Sequence, residues 1–348
     1  MKRIFAFDIA RAFAILGMMI VNYNIVFSYG KVEITFLSNF ISVFEGRAAA
    51  VFLILAGIGL SLMTKKIFEN EDNIFYYKKV ILKRSLFLFI IGLILYIIFE
   101  WTADILHLYG IYLFFMSFMF YKSNKELKFY LFLIVLITIF LQVNFDYSYG
   151  WNSDFTSYYN FFTLDGFIAN SFFNGYHPFF PWIIFIIVGV LMGRIDFSDS
   201  IKIKKIFLYS ILMAIIFEFL SFFIINFFNN SELIVYFFDT KPMNPSIFYV
   251  LTASMWAIAF ILFCNMIDFK SLKKFLVPTG QMALTHYVFH CIGVLSFFFF
   301  YDDLSYKNEL FVIILSIVVF IIMNIFSYFW IKRFKRGPLE LLMRKITS

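Results

Sequence analysis

Residues 7–29 read FDIARAFAILGMMIVNYNIVFSY. At 1.5 Å rise per residue, such a run crosses the ~30 Å hydrocarbon core of a bilayer as one helix. It is nevertheless interrupted by Asp8, Arg11 and Asn22. With about 100° between successive residues, Asp8 and Arg11 share a face, and Asn22 falls within about 20° of Arg11. The helix therefore carries one polar stripe. Polar groups in hydrocarbon are costly unless partnered, so the stripe should turn toward protein and marks a candidate site. Asp8 and Arg11 can equally pair at the cytoplasmic interface with their charged ends near water, and both readings stand at this point.

The rest of the chain extends this pattern. Hydrophobic residues make up 62% and charged residues 15% of the 348 positions, and the mean hydropathy is +0.87. A soluble domain carries about 25% charged residues, so the composition excludes one and specifies an all-α, polytopic membrane bundle. Cys264 and Cys291 both lie in apolar runs, which supports neither a disulfide framework nor a cysteine metal site. The net charge of +7 would point to nucleic acid in a soluble protein. In a membrane protein its distribution across the bilayer matters more, and no nucleic-acid partner is expected. The first run is too long for a cleavable signal peptide and should remain as a helix.

Apolar windows fall near 9–29, 46–63, 85–100, 104–121, 128–145, 178–194, 206–228, 248–266, 279–300 and 310–331. They predict about ten transmembrane helices in a single domain over 1–348, without internal repeats. With the N-terminus inside, 24 of the 29 Lys and Arg fall on the inner side, whereas Lys31, Arg47, Lys241 and Lys307 fall outside. That asymmetry puts both termini in the cytoplasm, the N-terminus and the basic 332–348 tail alike, with 146–177 as the long external loop. The loop contains no Lys or Arg and is rich in Tyr, Phe and Trp. Such rings either form an interfacial belt or stack on a sugar. The inner segment 64–84 is too short to fold independently.

Chemistry must come from few residues. Of the four histidines, His286 and His290 are i,i+4 neighbours on the ninth span. His290 lies about eleven residues, or roughly 16 Å, from that span's inner end. An imidazole at such depth acts as a general base or closes a helix–helix hydrogen bond. Asp104 and His107 stand three apart, a spacing that lets the carboxylate hold the ring's tautomer. His177 precedes the sixth span, where water can satisfy it. No third ligand accompanies the His286/His290 pair, so no metal is expected. Glu45 and Arg47 open the second span. Arg47 either receives negative charge or anchors the interface, while Gly57, Gly59 and the nearby alanines permit close helix approach. Glu218 is a lone intramembrane acid, either kept protonated by burial or functional.

Taken in order, these segments resemble a known family. Phe7-Asp8-Ile9-Ala10-Arg11-Ala12 through Val21-Asn22-Tyr23, Glu45-Gly46-Arg47-Ala48-Ala49-Ala50, Ile105-Leu106-His107-Leu108-Tyr109-Gly110-Ile111, Gly280-Gln281-Met282-Ala283-Leu284-Thr285-His286-Tyr287 and Gly337-Pro338-Leu339-Glu340 are similar to YeiB-like membrane proteins. That group resembles the heparan-α-glucosaminide N-acetyltransferases. The resemblance covers nearly the whole chain. It implies acyl transfer across the cell membrane, of the bacterial cytoplasmic type, from cytoplasmic acyl-CoA to an outer hydroxyl or amine, such as a cell-envelope glycan or lipid. Arg11-Ala12 stands where the family carries Arg-Gly. The heparan enzymes place a catalytic His soon after the Asn-Tyr, whereas residues 23–46 here contain none. Asn22 carries over, and the base falls to His290, His286 or His107, with Asn22 and Arg47 at the reacting carbonyl and Asp104–His107 at the outer mouth. The partners expected are the lipid bilayer, acyl-CoA and an external acceptor; a homodimer is left open. The rival class is a transporter or lipid flippase that uses the same polar groups as a path.

Overall fold

A computed structural model describes residues 3–27, 35–70, 73–300 and 308–347. Among these residues the regular structure is helical, with a single antiparallel bridge between Trp151 and Tyr158. The helices are α1 (Phe5–Phe27), α2 (Phe36–Ser42), α3 (Arg47–Asn70), α4 (Ile74–Ile98), α5 (Leu106–Met116), α6 (Asn124–Asn144), α7 (Leu164–Ala169) with a π-helical turn Asn170–Asn174, α8 (Phe179–Gly193), α9 (Ser200–Phe227), α10 (Glu232–Phe238), α11 (Ile247–Met266), α12 (Lys273–Gln281), α13 (Ala283–Phe300), α14 (Glu309–Phe334) and α15 (Pro338–Thr347).

Local sequence sets where they start. The Asn73 side chain accepts from Phe75 and Tyr76 at α4. Ser123 and Glu126 exchange a capping box at α6. Asp199 accepts from Lys202 at α9, and Asn308 from Phe311 at α14. Each side chain satisfies amide donors that the first turn leaves without an intrahelical partner.

The chain is a polytopic helical membrane protein. Among the described residues seven helices are long and apolar enough to cross a bilayer, or eight if the bent pair Leu164–Asn174 and Phe179–Gly193 is one span. The expected windows differ from the helices in three places. The regular helix in 104–121 is α5, whose 11 residues rise about 16 Å, half of the hydrocarbon thickness. The segment 64–84, expected between two spans, is mostly helical, because α3 continues to Asn70 and α4 begins at Ile74. The window 279–300 is broken at Met282 between α12 and α13. His290 thus stands seven residues, about 10 Å, along its own helix, a shorter distance than the unbroken window implied. Lys31 and Lys307 lie outside the described residues.

The residues gather into two compact units, Met1–Phe52 with Ala257–Ile346, and Leu53–Trp256. In the first, α1 packs against α12, α13 and α14. Phe13 sits among the rings of Phe260, Phe269 and Phe320, at 6.2, 6.0 and 6.4 Å between centroids. In the second, α5 packs against α4, and α6 against α8. The α3–α8 crossing is close because both helices present glycine. A Cβ on Gly57 would stand 2.8 Å from the Gly189 Cα, and one on Gly189 would stand 2.9 Å from the Gly57 Cα. Leu208, Phe219 and Phe222 of α9, with Ile321 and Phe329 of α14, are exposed, as lipid-facing side chains are.

The 146–177 segment is neither a simple belt nor an open stacking platform. Trp151, Tyr158 and Phe161 are buried with Tyr96 of α4 in a small core, and Tyr96 stacks on Phe161 at 3.6 Å. Asn174 ties the segment together. Its carbonyl accepts from Trp151 Nε1 at 2.6 Å, its Oδ1 from the Tyr158 hydroxyl at 3.2 Å, and its Nδ2 donates to the Tyr149 carbonyl at 2.7 Å. Only the outward set, including Tyr159 and Phe162, is exposed.

The charge asymmetry sets a test of sidedness. A cysteine at the exposed Ser153 should react with a membrane-impermeant maleimide in intact cells, and one at the exposed Arg344 only after permeabilisation. Native Cys264 and Cys291 are buried and should contribute little background. Labelling of position 153 only from the inside would overturn the topology.

Candidate functional site

The polar stripe of α1 divides into two parts with different partners. At its start, Asp8 is 2% exposed and is held by two guanidinium groups. Arg3 Nε donates to its Oδ2 at 2.7 Å and Arg3 Nη2 to its Oδ1 at 3.1 Å, while Arg11 Nη1 donates to Oδ1 at 3.0 Å. A buried carboxylate needs such pairing to offset its desolvation. The i,i+3 spacing of Asp8 and Arg11 was legible in the sequence. Arg3 was not, because it precedes the helix.

Farther along α1, Asn22 meets α13. Its Nδ2 lies 3.0 Å from His290 Nε2, and His290 Nδ1 lies 3.1 Å from the His286 carbonyl. These two contacts assign the ring's proton. A carbonyl only accepts, so Nδ1 carries the hydrogen, and Nε2 presents its lone pair to the Asn22 amide. His290 is 2% exposed and is thereby held in one tautomer, with Nε2 as the basic nitrogen. Tyr23 and Tyr287 pack around the ring at 6.1 and 5.3 Å between centroids. His286, one turn earlier, is bonded instead to Ser327 of α14, with 2.6 Å between Nε2 and Oγ. The i,i+4 histidines share a helix face but serve different neighbours.

The start of α13 is held by the tail. Glu340 Oε1 accepts from the Leu284 and Thr285 amides at 2.9 and 3.1 Å, and Oε2 accepts from the Thr285 hydroxyl at 2.5 Å. A carboxylate at a helix N-terminus satisfies exposed donors and complements the dipole. The Gly-Pro-Leu-Glu and Ala-Leu-Thr-His segments, 55 residues apart between Thr285 and Glu340, are therefore two halves of one joint that sets the position of the histidine helix. Arg47 begins α3, and its Nη1 reaches the Ser42 carbonyl at 3.5 Å. Its amide bonds the Glu45 carbonyl at 2.7 Å across Gly46, whose φ of 66° is in the left-handed region that favours glycine.

In the Leu53–Trp256 unit, Asp104 and His107 form the expected pair. Asp104 Oδ2 accepts both the His107 amide and its Nδ1–H, each at 2.9 Å. Both side chains are almost fully buried. Gly92 of α4 makes this possible, because a Cβ there would run into the His107 amide and the Asp104 carboxylate. Tyr96 and Phe161 meet the His107 ring edge-on at 5.9 and 6.0 Å. His177 departs from expectation. It is not left to water, since its Nδ1 is buried, its ring lies 4.6 Å from that of Trp182, and its carbonyl accepts the Tyr112 hydroxyl. Glu218 is likewise partnered, accepting the Thr240 hydroxyl at 2.8 Å.

A family model described as heparan-α-glucosaminide N-acetyltransferase, catalytic, matches residues 3–239. The chain belongs to this family. A second model, described as a protein of unknown function (DUF418), the YeiB-like group, matches residues 196–348. No curated protein matches the chain. The acetyltransferase-family match begins ahead of α1, so it includes the Asp8–Arg11 pair and Asn22, and it ends before α13, whose histidines fall in the YeiB-like match. Among the described residues no group of three or more His, Cys, Asp or Glu is placed to hold a metal ion. The residues absent from the sequence expectation are Arg3, Ser327, Glu340 and Trp182. Glu340 alone had a signal, through its Gly-Pro-Leu-Glu motif, and its partner was not readable from the sequence.

Glu340→Ala should lower stability by about 1–3 kcal/mol, because it leaves two helix-start amides and a hydroxyl without an acceptor. Glu340→Gln keeps one carbonyl oxygen and should lose less. Thermal melting of the detergent-purified protein checks the order of the two; equal melting of Glu340→Ala and wild type would remove the joint from the account.

Proposed function

We propose that this chain is a transmembrane acyltransferase of the bacterial cytoplasmic membrane, taking an acyl group from cytoplasmic acyl-CoA and delivering it to a hydroxyl or amine acceptor at the outer face. Family membership supports the reaction class. The observation that carries the assignment of residues is the Asn22–His290 hydrogen bond, which joins the family's asparagine to a buried base where the family's own histidine is missing.

The chemistry follows from the ring's tautomer. An acceptor hydroxyl or amine loses a proton as it attacks the thioester carbonyl, and His290 Nε2 takes it once the acceptor displaces the Asn22 N–H from that nitrogen's single lone pair. The CoA thiolate is the leaving group, and the imidazolium returns the proton to it. The Asn22 amide has two N–H bonds. One faces His290, and the other is the donor assigned to the oxygen that becomes negative. Arg47, at the first position of α3, adds its charge to the positive end of that helix and favours negative charge nearby. His286, bonded to Ser327, takes the role of base if His290 proves structural.

Purified protein in liposomes, supplied with acetyl-CoA and an envelope extract, should release free CoA thiol. His290→Ala should lower turnover by roughly 10² to 10⁴ with little change in donor affinity, as expected for a base that acts mainly in the transition state. Asn22→Ala should lower it by about 10² or more, as for one lost donor at a developing oxyanion. If His290→Ala keeps its turnover but melts earlier, the pair is a packing contact. If wild type releases no CoA while cells lacking it fail to move a solute or lipid, the transporter reading takes its place.

A further inference from the structure

Cys291 follows His290 on α13, and both side chains are 2% exposed. Residues adjacent in a helix point about 100° apart and do not ordinarily face each other. Cys291 Sγ nevertheless stands 3.6 Å from His290 Nε2, within hydrogen-bonding range for sulfur. The bond between His290 Nδ1 and the His286 carbonyl at 3.1 Å orients the ring for this contact and leaves Nε2 as an acceptor, so the thiol is the donor. The same nitrogen meets the Asn22 amide at 3.0 Å. A thiol, a base and a group that orients the base are thereby joined, which is the arrangement that activates a cysteine for covalent catalysis. A buried cysteine that only packs behaves as a small hydrophobe. This one competes with Asn22 for the single lone pair on which the proposed reaction turns.

We infer that Cys291 is the nucleophile of a two-step transfer and carries the acyl group as a thioester between CoA and the acceptor. This rests on the acyltransferase reading and adds a covalent intermediate to it. In the first step the Asn22 N–H turns from Nε2 to the carbonyl oxygen of acyl-CoA, and the thiol takes the vacated lone pair. Sγ bonds to the acyl carbon as its hydrogen passes to Nε2, so no separate thiolate has to be held in apolar surroundings. The bond from the acyl carbon to the CoA sulfur breaks, and the imidazolium gives its added hydrogen to that sulfur. One thioester replaces another, with no change of oxidation state. In the second step the acceptor's oxygen or nitrogen attacks the Cys291 thioester. Its hydrogen passes to Nε2 and on to Sγ, which restores the free thiol. His290 serves as base and then as acid in each half. Tyr23 and Tyr287 pack around its ring and keep from the intermediate the water that would hydrolyse it. Because CoA departs before the acceptor reacts, the two large substrates need not occupy the site together.

The chain has two cysteines, and Cys264, equally buried, is the internal control. Purified protein in liposomes, given radiolabelled acetyl-CoA and no acceptor, should release CoA in a burst of about one equivalent and retain a label that hydroxylamine removes. Peptide mass spectrometry should place the acetyl group on Cys291. Cys264→Ala should keep label and burst. Cys291→Ala should lose both, and its turnover with envelope extract should fall by roughly 10²-fold or more. The site of the label is read on the wild-type protein, so the test holds even if Cys291→Ala fails to fold. Acceptor-dependent CoA release without an acetyl group on Cys291, or with the label on another residue, would overturn the nucleophile and leave the acyltransferase reading in place. Unchanged turnover in Cys291→Ala would do the same. A wild-type protein that neither takes up label nor releases CoA with the extract would remove both.

Discussion

A polar side chain in the apolar interior of this protein must find a partner within the protein, because hydrocarbon offers none. The Asn22–His290 bond is the clearest consequence. It joins side chains 268 residues apart, and its amide donor matches the tautomer that the His286 carbonyl imposes on the ring. The same requirement explains Asp8 between two arginines, His286 on Ser327, Glu218 on Thr240, and Thr279 on Asn324 at 2.9 Å. In an interior otherwise largely apolar, whose packing is weakly directional, these contacts give the helices specific registers.

The joint between Glu340 and the start of α13 shows how this requirement reaches across the chain. A long apolar window is interrupted at Met282, and the interruption leaves amides that a continuous helix would have satisfied. The tail supplies the acceptor. Its placement follows from Lys335, whose φ of 61° ends α14, and from Pro338, which opens α15 where a missing N–H costs nothing. The basic tail thus also holds the start of the helix that carries both buried histidines of that unit.

The second unit solves the same problem differently. Its 146–177 segment is long, free of Lys and Arg, and aromatic, and it folds around Asn174, with Tyr96 and Phe161 against His107. Glycine has a specific use here. Gly57 and Gly189 bring α3 and α8 into backbone contact, and Gly92 lets α4 lie against the Asp104–His107 pair. In both places the functional or packing group occupies the volume a side chain would need.

Composition and period were enough to determine that this is an all-helical membrane protein, because burial in lipid demands long apolar helices and little else in sequence produces them. Local spacing was equally legible. The pairing of Asp8 with Arg11 follows from one helical turn, and that of Asp104 with His107 from their three-residue spacing at the start of α5. The partners across the fold were not legible. Nothing near Asn22 points to His290, nothing near His286 to Ser327, and nothing near Thr285 to Glu340, because each bond depends on which helices pack together and in what register. His177 is the sharpest case. Its sequence neighbours read as a solvated loop, yet Trp182 of α8 and Tyr112 of α5 pack against it, and only the tertiary structure buries its Nδ1.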